Sequence, residues 1–254
     1  MSLAGVQDFP PALIQTLSDA DRVVALTGSG ISAESGVSTF REAQTGLWAR
    51  YDPQQLATPE AFASDPRLVW NWYEWRRNLV TDAEPNPGHL ALAELERQIP
   101  DFTLVTQNVD GLHARAGSRN VVELHGNILR SKCSLEGEVA EPKEVDDSVP
   151  PHCPRCSAFL RPDVVWFGEM LPVEALETAS EEARRCDLFL SIGTSSLVHP
   201  AAALPYEAME GGATLVEINP SQTPLTRHAT FVLQGRAGEV LPNLLREAFG
   251  LSAS

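Results

Sequence analysis

The chain has 254 residues, of which 43% are hydrophobic and 21% charged, which excludes a disordered or fibrous protein. Lysine and arginine total 19 against 34 aspartates and glutamates, a net charge of -15 that repels nucleic-acid backbones and anionic membranes and favours a basic partner. No apolar run approaches the ~18–20 residues of a membrane span, and the start MSLAGVQDFPPAL lacks the features of a secretory signal. Four cysteines are too few for a disulfide scaffold of this length. A cytoplasmic monomer is expected, with no nucleic-acid or membrane partner.

In chain order, short apolar runs at 23–26, 102–105, 121–124, 188–192, 214–218 and 231–233 read as buried strands. Helical stretches lie between or after them. One is capped by Asn86 with Pro87 at its first position, and others cover 172–185, 201–210 and 238–250. Runs with few polar interruptions imply a sheet covered on both faces. The expected fold class is therefore α/β, Rossmann-like, with a mostly parallel sheet.

Two segments break this pattern. Residues 43–81 hold Trp48, Trp70, Trp72 and Trp75 and read as loop plus helix. Residues 131–163 are rich in cysteine, proline and acid and have no strong period. The expected organisation is a nucleotide-binding domain of 1–42, 82–127 and 164–254. A helical insertion (43–81) and a cysteine-bearing insertion (128–163) form a small second domain.

The first strand ends in Gly28, Ser29, Gly30, Ile31, Ser32 and Ala33, which fit G-x-G-x-x-A. At that spacing a strand meets a helix and backbone N–H groups can face a pyrophosphate; a plain tight turn uses the same glycines. About 20 residues on, no acid stands at the end of a second strand, where an ordinary dehydrogenase grips its ribose. The 102–105 strand delivers Gln107, Asn108, Val109 and Asp110 to the carboxyl edge of the sheet. An amide and a carboxylate there suit a carboxamide, or cap the next helix. His125 follows the 121–124 strand and precedes a glycine. It reads as a proton acceptor in a cleft or as a strand-end histidine bonded to backbone.

Together these segments resemble the motifs of the sirtuin family, NAD-dependent protein lysine deacylases. TGSGISAESGVSTFR is similar to the family's opening motif. Gln107-Asn108-Val109-Asp110, His125-Gly126, a cysteine segment, Phe167-Gly168-Glu169, Gly193-Thr194-Ser195 and Ile218-Asn219 follow in the family's order. Ser29 departs from the usual alanine. The resemblance implies that His125 is the general base and that Asn108 assists catalysis. NAD would be held by residues 28–34, Thr39, Phe40, Arg41, Trp48, Gln107, Asn108, Val109, Asp110, His125, Gly193, Thr194, Ser195, Asn219 and Ala237. The opening loop contributes Glu34 to that set. The acyl oxygen of a modified protein lysine would attack the ribose, releasing nicotinamide and leading to O-acyl-ADP-ribose.

Tyr73 and Arg76 stand three apart on one helix and resemble the pair by which the desuccinylase and demalonylase subset recognises a distal carboxylate. Succinyl, malonyl and acetyl groups are the expected cargo. Val165, Trp166, Phe167, Gly168 and Glu169 are expected to form a strand-like edge for the substrate peptide.

A structural zinc is implied by Cys133, Cys153 and Cys156, but Glu136 occupies the fourth place of a paired C-x2-C pattern. Glu136 or His152 completes the site, the fourth ligand comes from elsewhere, or the metal is weak or absent. Mono-ADP-ribosyl transfer and non-catalytic NAD sensing are the rival functions on the same site.

Overall fold

The computed structural model describes residues 8–37, 52–141 and 146–250. Its centre is a six-stranded parallel sheet of β1 (Arg22–Thr27), β2 (Asp101–Thr106), β3 (Val121–Glu123), β6 (Leu188–Ile192), β7 (Thr214–Asn219) and β8 (Phe231–Gln234). The strand order is β3-β2-β1-β6-β7-β8, so the chain reverses its lateral direction between β1 and β6. The carboxyl edge beside these two strands is where an open α/β sheet offers a crevice.

The apolar runs reflect burial on both faces. In β1, Val23 and Ala25 join one core cluster while Val24 and Leu26 join the other. The first cluster takes in α1 (Pro11–Asp19), α6 (Pro87–Gln98) and α10 (Ala237–Phe249). The second takes in α8 (Val173–Arg185) and α9 (Leu204–Glu210). Leu92, Leu95, Leu241 and Leu244 are fully buried, each contributing roughly 1.5–3 kcal/mol. As expected, Asn86 caps α6 by accepting from the Gly88 N–H at 2.9 Å. Two short helices, α2 (Ser29–Ala33) and α7 (Leu112–Arg115), leave the sheet edge after β1 and β2.

Residues 52–82 form α3 (Pro53–Leu56), α4 (Pro59–Ser64) and α5 (Pro66–Asp82). Thr58 and Asp65 cap α4 and α5 through their side chains. The cysteine segment holds an antiparallel pair that the sequence pattern did not predict, β4 (Gly126–Cys133) with β5 (Leu160–Val164). Helix α5 packs on that pair, with Val69, Trp72, Tyr73 and Val80 against Ile128, Val164 and Trp166. Trp70 packs with Cys133, Cys153 and Leu160.

The strand-like edge expected over 165–169 is instead irregular. Gly168 adopts φ +87, and the Glu169 carboxylate accepts the Trp166 N–H at 2.8 Å, folding the chain back beyond β5.

Candidate active site

The glycines of the first turn are required by close backbone approach. A Cβ on Gly30 would lie 2.7 Å from the Gly193 carbonyl oxygen, and one on Gly28 would lie 2.8 Å from the Thr194 Cα. The Gly28 N–H donates to Ile192 at 3.0 Å and the Gly30 N–H to Gly193 at 2.8 Å. Both amides are therefore spent on seating the turn against the end of β6, and neither is available to a phosphate. Ser29 and Ala33 are exposed on α2, whereas Ile31 is fully buried in the core. Glu34 reaches across to accept the Gly238 N–H at 3.0 Å, beside buried Ala237. Thr39, Phe40, Arg41 and Trp48 lie outside the described residues.

Three polar side chains meet beside this turn. Asn108 Nδ2 donates to the Gly28 carbonyl and to Ser32 Oγ, each at 3.0 Å. Ser32 Oγ donates to Asp110 Oδ2 at 2.7 Å, and Asp110 Oδ1 accepts the Leu112 N–H at 2.9 Å. Both Asn108 and Asp110 thus keep their orientation without a ligand. Burial raises the Asp110 pKa, and its two hydrogen bonds oppose that rise. Val109 sits between them with its carbonyl accepting from Ile128 at 2.8 Å.

Gln107 touches both halves of the site. Its Nε2 donates to Thr194 Oγ1 at 2.9 Å, and its carbonyl lies 2.7 Å from His125 Nδ1. A carbonyl only accepts, so Nδ1 carries the proton and Nε2 holds the free lone pair. Burial lowers the His125 pKa, while the Gln107 bond opposes this. The ring is therefore neutral at neutral pH, with Nε2 in the state a base requires. Past Gly193, Asn219 Nδ2 donates to the Thr194 carbonyl at 2.8 Å, and Ser195 is half-buried.

On α5, Tyr73 is buried, and Trp166 Nε1 donates to its hydroxyl at 2.9 Å. Burial pushes the Tyr73 phenol up to about 12. Arg76 has its guanidinium carbon 5.0 Å from the centre of the Trp72 ring, and burial lowers its pKa. Below this lies a network that sequence reasoning missed. Arg161 pairs with Glu169, donates to the Val164 carbonyl at 2.8 Å and lies over the Trp166 ring. Val165 and Phe167 are held from elsewhere, their N–H groups donating to the His125 carbonyl at 2.9 Å and to the Ala57 carbonyl at 3.0 Å. Arg161 lies within β5 and Glu169 beyond the turn at Gly168, so no single helix or strand pattern joins the two.

Cys133, Cys153, Cys156 and Glu136 bring their ligand atoms within 4.8 Å of one another, and His152 stands outside this group. All four cysteines among the described residues are free thiols, and Cys186 is a buried one at the end of α8.

A Sir2 family model matches residues 28–200, the stretch that holds most of these groups. The chain belongs to the Sir2 family. A Pseudomonas aeruginosa relative, NAD-dependent protein deacylase 1, is 53% identical over 94% of this chain and 98% of its own length. A Sir2 homologue solved as an NAD complex has a TM-score of 0.88 at 47% identity, covering 95% of this chain and 94% of its own. A Sir2 homologue mutant bound to 2'-O-acetyl ADP ribose has a TM-score of 0.85 at 47% identity, over 94% of this chain and 96% of its own. The Sir2 match begins at Gly28 and takes in the polar group from Gln107 to Asp110, His125 and Gly193.

Proposed function

We propose that this chain removes acyl groups from protein lysines, consuming NAD and yielding nicotinamide and an O-acyl-ADP-ribose. The observation that carries this reading is the fixed tautomer of His125, tied through Gln107 to the segment of the Asn108–Ser32–Asp110 chain at the carboxyl edge of the sheet. The names of the relatives agree with it.

The donor set fits a dinucleotide. A nicotinamide carboxamide carries two N–H donors; with Asn108 Nδ2 already spent on Gly28 and Ser32, Asn108 Oδ1 and the Asp110 carboxylate remain as acceptors for them at one end of the crevice. Gln107, Thr194, Ser195 and Asn219 offer groups for riboses and phosphates at the other. When bound, NAD supplies an electrophilic sugar carbon and a leaving group. The protein's part is then positional and acid–base. Asn108 and Asp110 orient the carboxamide, and Ser32 keeps Asp110 aimed. His125 Nε2 takes a proton from a ribose hydroxyl once the acyl oxygen is joined to the sugar, while Gln107 holds the ring through Nδ1. Tyr73 and Arg76 take the distal end of the acyl chain. A desolvated guanidinium gains from a carboxylate, which favours succinyl and malonyl over acetyl groups.

The two insertions share cores through α5, β4 and β5, which supports reading them as one small domain beside the nucleotide domain. Cys133, Cys153 and Cys156 would hold a zinc that cross-links this domain and takes no part in the chemistry. The free thiols favour a reducing cytoplasm. No helix among the described residues is long and apolar enough to cross a membrane. The acylated protein is the only partner the reading needs, and the enzyme is taken as a monomer.

The test is mass spectrometry of NAD with acetyl-, malonyl- and succinyl-lysine peptides, using wild type and His125→Ala. Nicotinamide release that needs acylated peptide and falls in the variant is expected. ADP-ribose attached to protein, with the acyl group left on the peptide, would overturn the deacylase reading.

A further inference from the structure

The cysteine module contains the same turn twice. In the first, the Gly137 N–H donates to the Cys133 carbonyl at 3.0 Å and the Cys133 N–H to the Glu138 carbonyl at 2.8 Å. In the second, the Ser157 N–H donates to the Cys153 carbonyl at 2.9 Å and the Cys153 N–H to the Ala158 carbonyl at 2.7 Å. Gly137 at φ +76 and Ser157 at φ +61 occupy the same left-handed position. A serine adopts that conformation at a cost, so the second turn is held by its surroundings. Backbone N–H groups reach the leading sulfur in both, from Glu136 to Cys133 at 3.4 Å and from Arg155 and Cys156 to Cys153. The register pairs 133 with 153, 137 with 157 and 138 with 158, so Glu136 stands where the second turn has Cys156.

Three observations link this register to a metal. The four ligand atoms lie within 4.8 Å of one another, and Cys133 Sγ is 3.4 Å from Cys156 Sγ. A tetrahedral zinc with bonds of ~2.0–2.3 Å places its ligand atoms roughly 3.3–3.8 Å apart. His152, the other candidate, points Nδ1 to Asp146 and Ser148, each at 2.9 Å, and its ring lies 5.1 Å from that of Phe159. Arg155, inside the second turn, places Nε 3.2 Å from Glu136 Oε2. That contact holds the carboxylate beside the sulfurs, as a positioning partner of a ligand does.

We propose that the module is a Cys3Glu site for a borderline divalent cation such as zinc, with Cys133, Glu136, Cys153 and Cys156 as ligands and Arg155 orienting the carboxylate. It stands independently of the deacylase reading. A carboxylate is a harder ligand than a thiolate, so the site holds zinc less tightly than a four-cysteine version would.

The test uses the full chain loaded with zinc alone, titrated against a chelating indicator, and with cobalt(II) alone, read by absorption. One zinc per chain is expected. Glu136→Ala should weaken zinc binding more than tenfold, and Arg155→Ala by about tenfold. His152→Ala should leave the affinity unchanged. Glu136→Cys keeps the ligand number, so it reports even if the alanine variant unfolds. It should bind zinc more tightly and add thiolate-to-cobalt charge-transfer intensity. Unchanged cobalt intensity in Glu136→Cys, unchanged zinc affinity in a folded Glu136→Ala, or loss of zinc in His152→Ala would each overturn the assignment, as would a wild type that takes up no zinc.

Discussion

His125 turns its protonated Nδ1 toward the Gln107 carbonyl 2.7 Å away, so Nε2 is the only ring nitrogen that can accept a proton. Burial depresses the ring's pKa below the ordinary 6.5. Protonation inactivates a base, so the acid limb of kcat/KM is expected below pH 6.5, with full activity at neutral pH. His125→Ala should lose about 10²–10⁴-fold in turnover while still binding NAD. A pH–rate profile and NAD titration check both. An acid limb above pH 7, or undiminished turnover in the variant, would remove His125 from the base role.

Gly193 has φ +59, and a Cβ there would lie 2.6 Å from the Ile31 amide nitrogen. Two backbone segments from opposite sides of the switch meet at that contact. Gly193→Ala is expected to cost on the order of 2–4 kcal/mol and to raise KM for NAD, because the turn must move. Gly212 also has a left-handed φ, +93, but a Cβ there would meet nothing within 4 Å. Gly212→Ala should cost only the backbone term, about 1–2 kcal/mol. Urea unfolding of the two variants separates crowding from strain, and equal losses would show that the close approach is not tight.

How much of this was legible in the sequence follows from burial. The six strands of the main sheet stood out because both faces are covered, which leaves unbroken apolar runs such as Leu188–Ile192. β4 and β5 were hidden because Leu129 and Arg130 face outward and the register shifts between Asn127 and Ser131. Helix α1 begins at Pro11 and buries Leu13 and Leu17, four apart, too short a repeat to mark a helix by itself. Gln107, Asn108 and Asp110 were legible because strand ends concentrate polar groups at one edge. Their mutual contacts were not, because Ser32 arrives from 78 residues away. The glycine spacing suits a phosphate turn and a plain tight turn alike, and sequence does not show that Gly28 and Gly30 spend their amides on the end of β6.

His89 and His113 form a buried pair, ring centres 4.8 Å apart, linked to β1 through His113 Nε2 and Thr27 Oγ1 at 2.9 Å. His89 Nδ1 accepts the Asn86 N–H, so its Nε2 carries a proton. That Nε2 and His113 Nδ1 have no partner among the described residues. Burial lowers His89 to about 4 and His113, also repelled by His89, to about 3. Below the unfolded value of about 6.5, only the unfolded chain takes up these protons. Stability is therefore full above that pH, and falls by about 1.4 kcal/mol per pH unit per histidine as pH drops toward 4. His125, also lowered, adds to the loss, and Asp110, raised, opposes it. Urea unfolding between pH 7 and 5 measures the slope, and a flat profile would mean that the pair is not held neutral.

Arg76 is expected to separate the acyl preference from the basic chemistry. Burial lowers its pKa, but from so high a starting value that the guanidinium stays charged in a place that disfavours charge. A succinyl or malonyl carboxylate would relieve that cost, and an acetyl methyl would not. Arg76→Met keeps the length and apolar contacts of the side chain against Trp72 while removing the charge. Loss of a charged partner of this kind is worth about 2–4 kcal/mol, so kcat/KM for succinyl-lysine should fall roughly 30- to 1000-fold. The value for acetyl-lysine should stay within about threefold or rise, since an apolar wall suits a methyl group. Steady-state rates on matched peptides give the ratio directly. A parallel fall on both substrates would show that Arg76 holds helix α5 in place and does not read the acyl group.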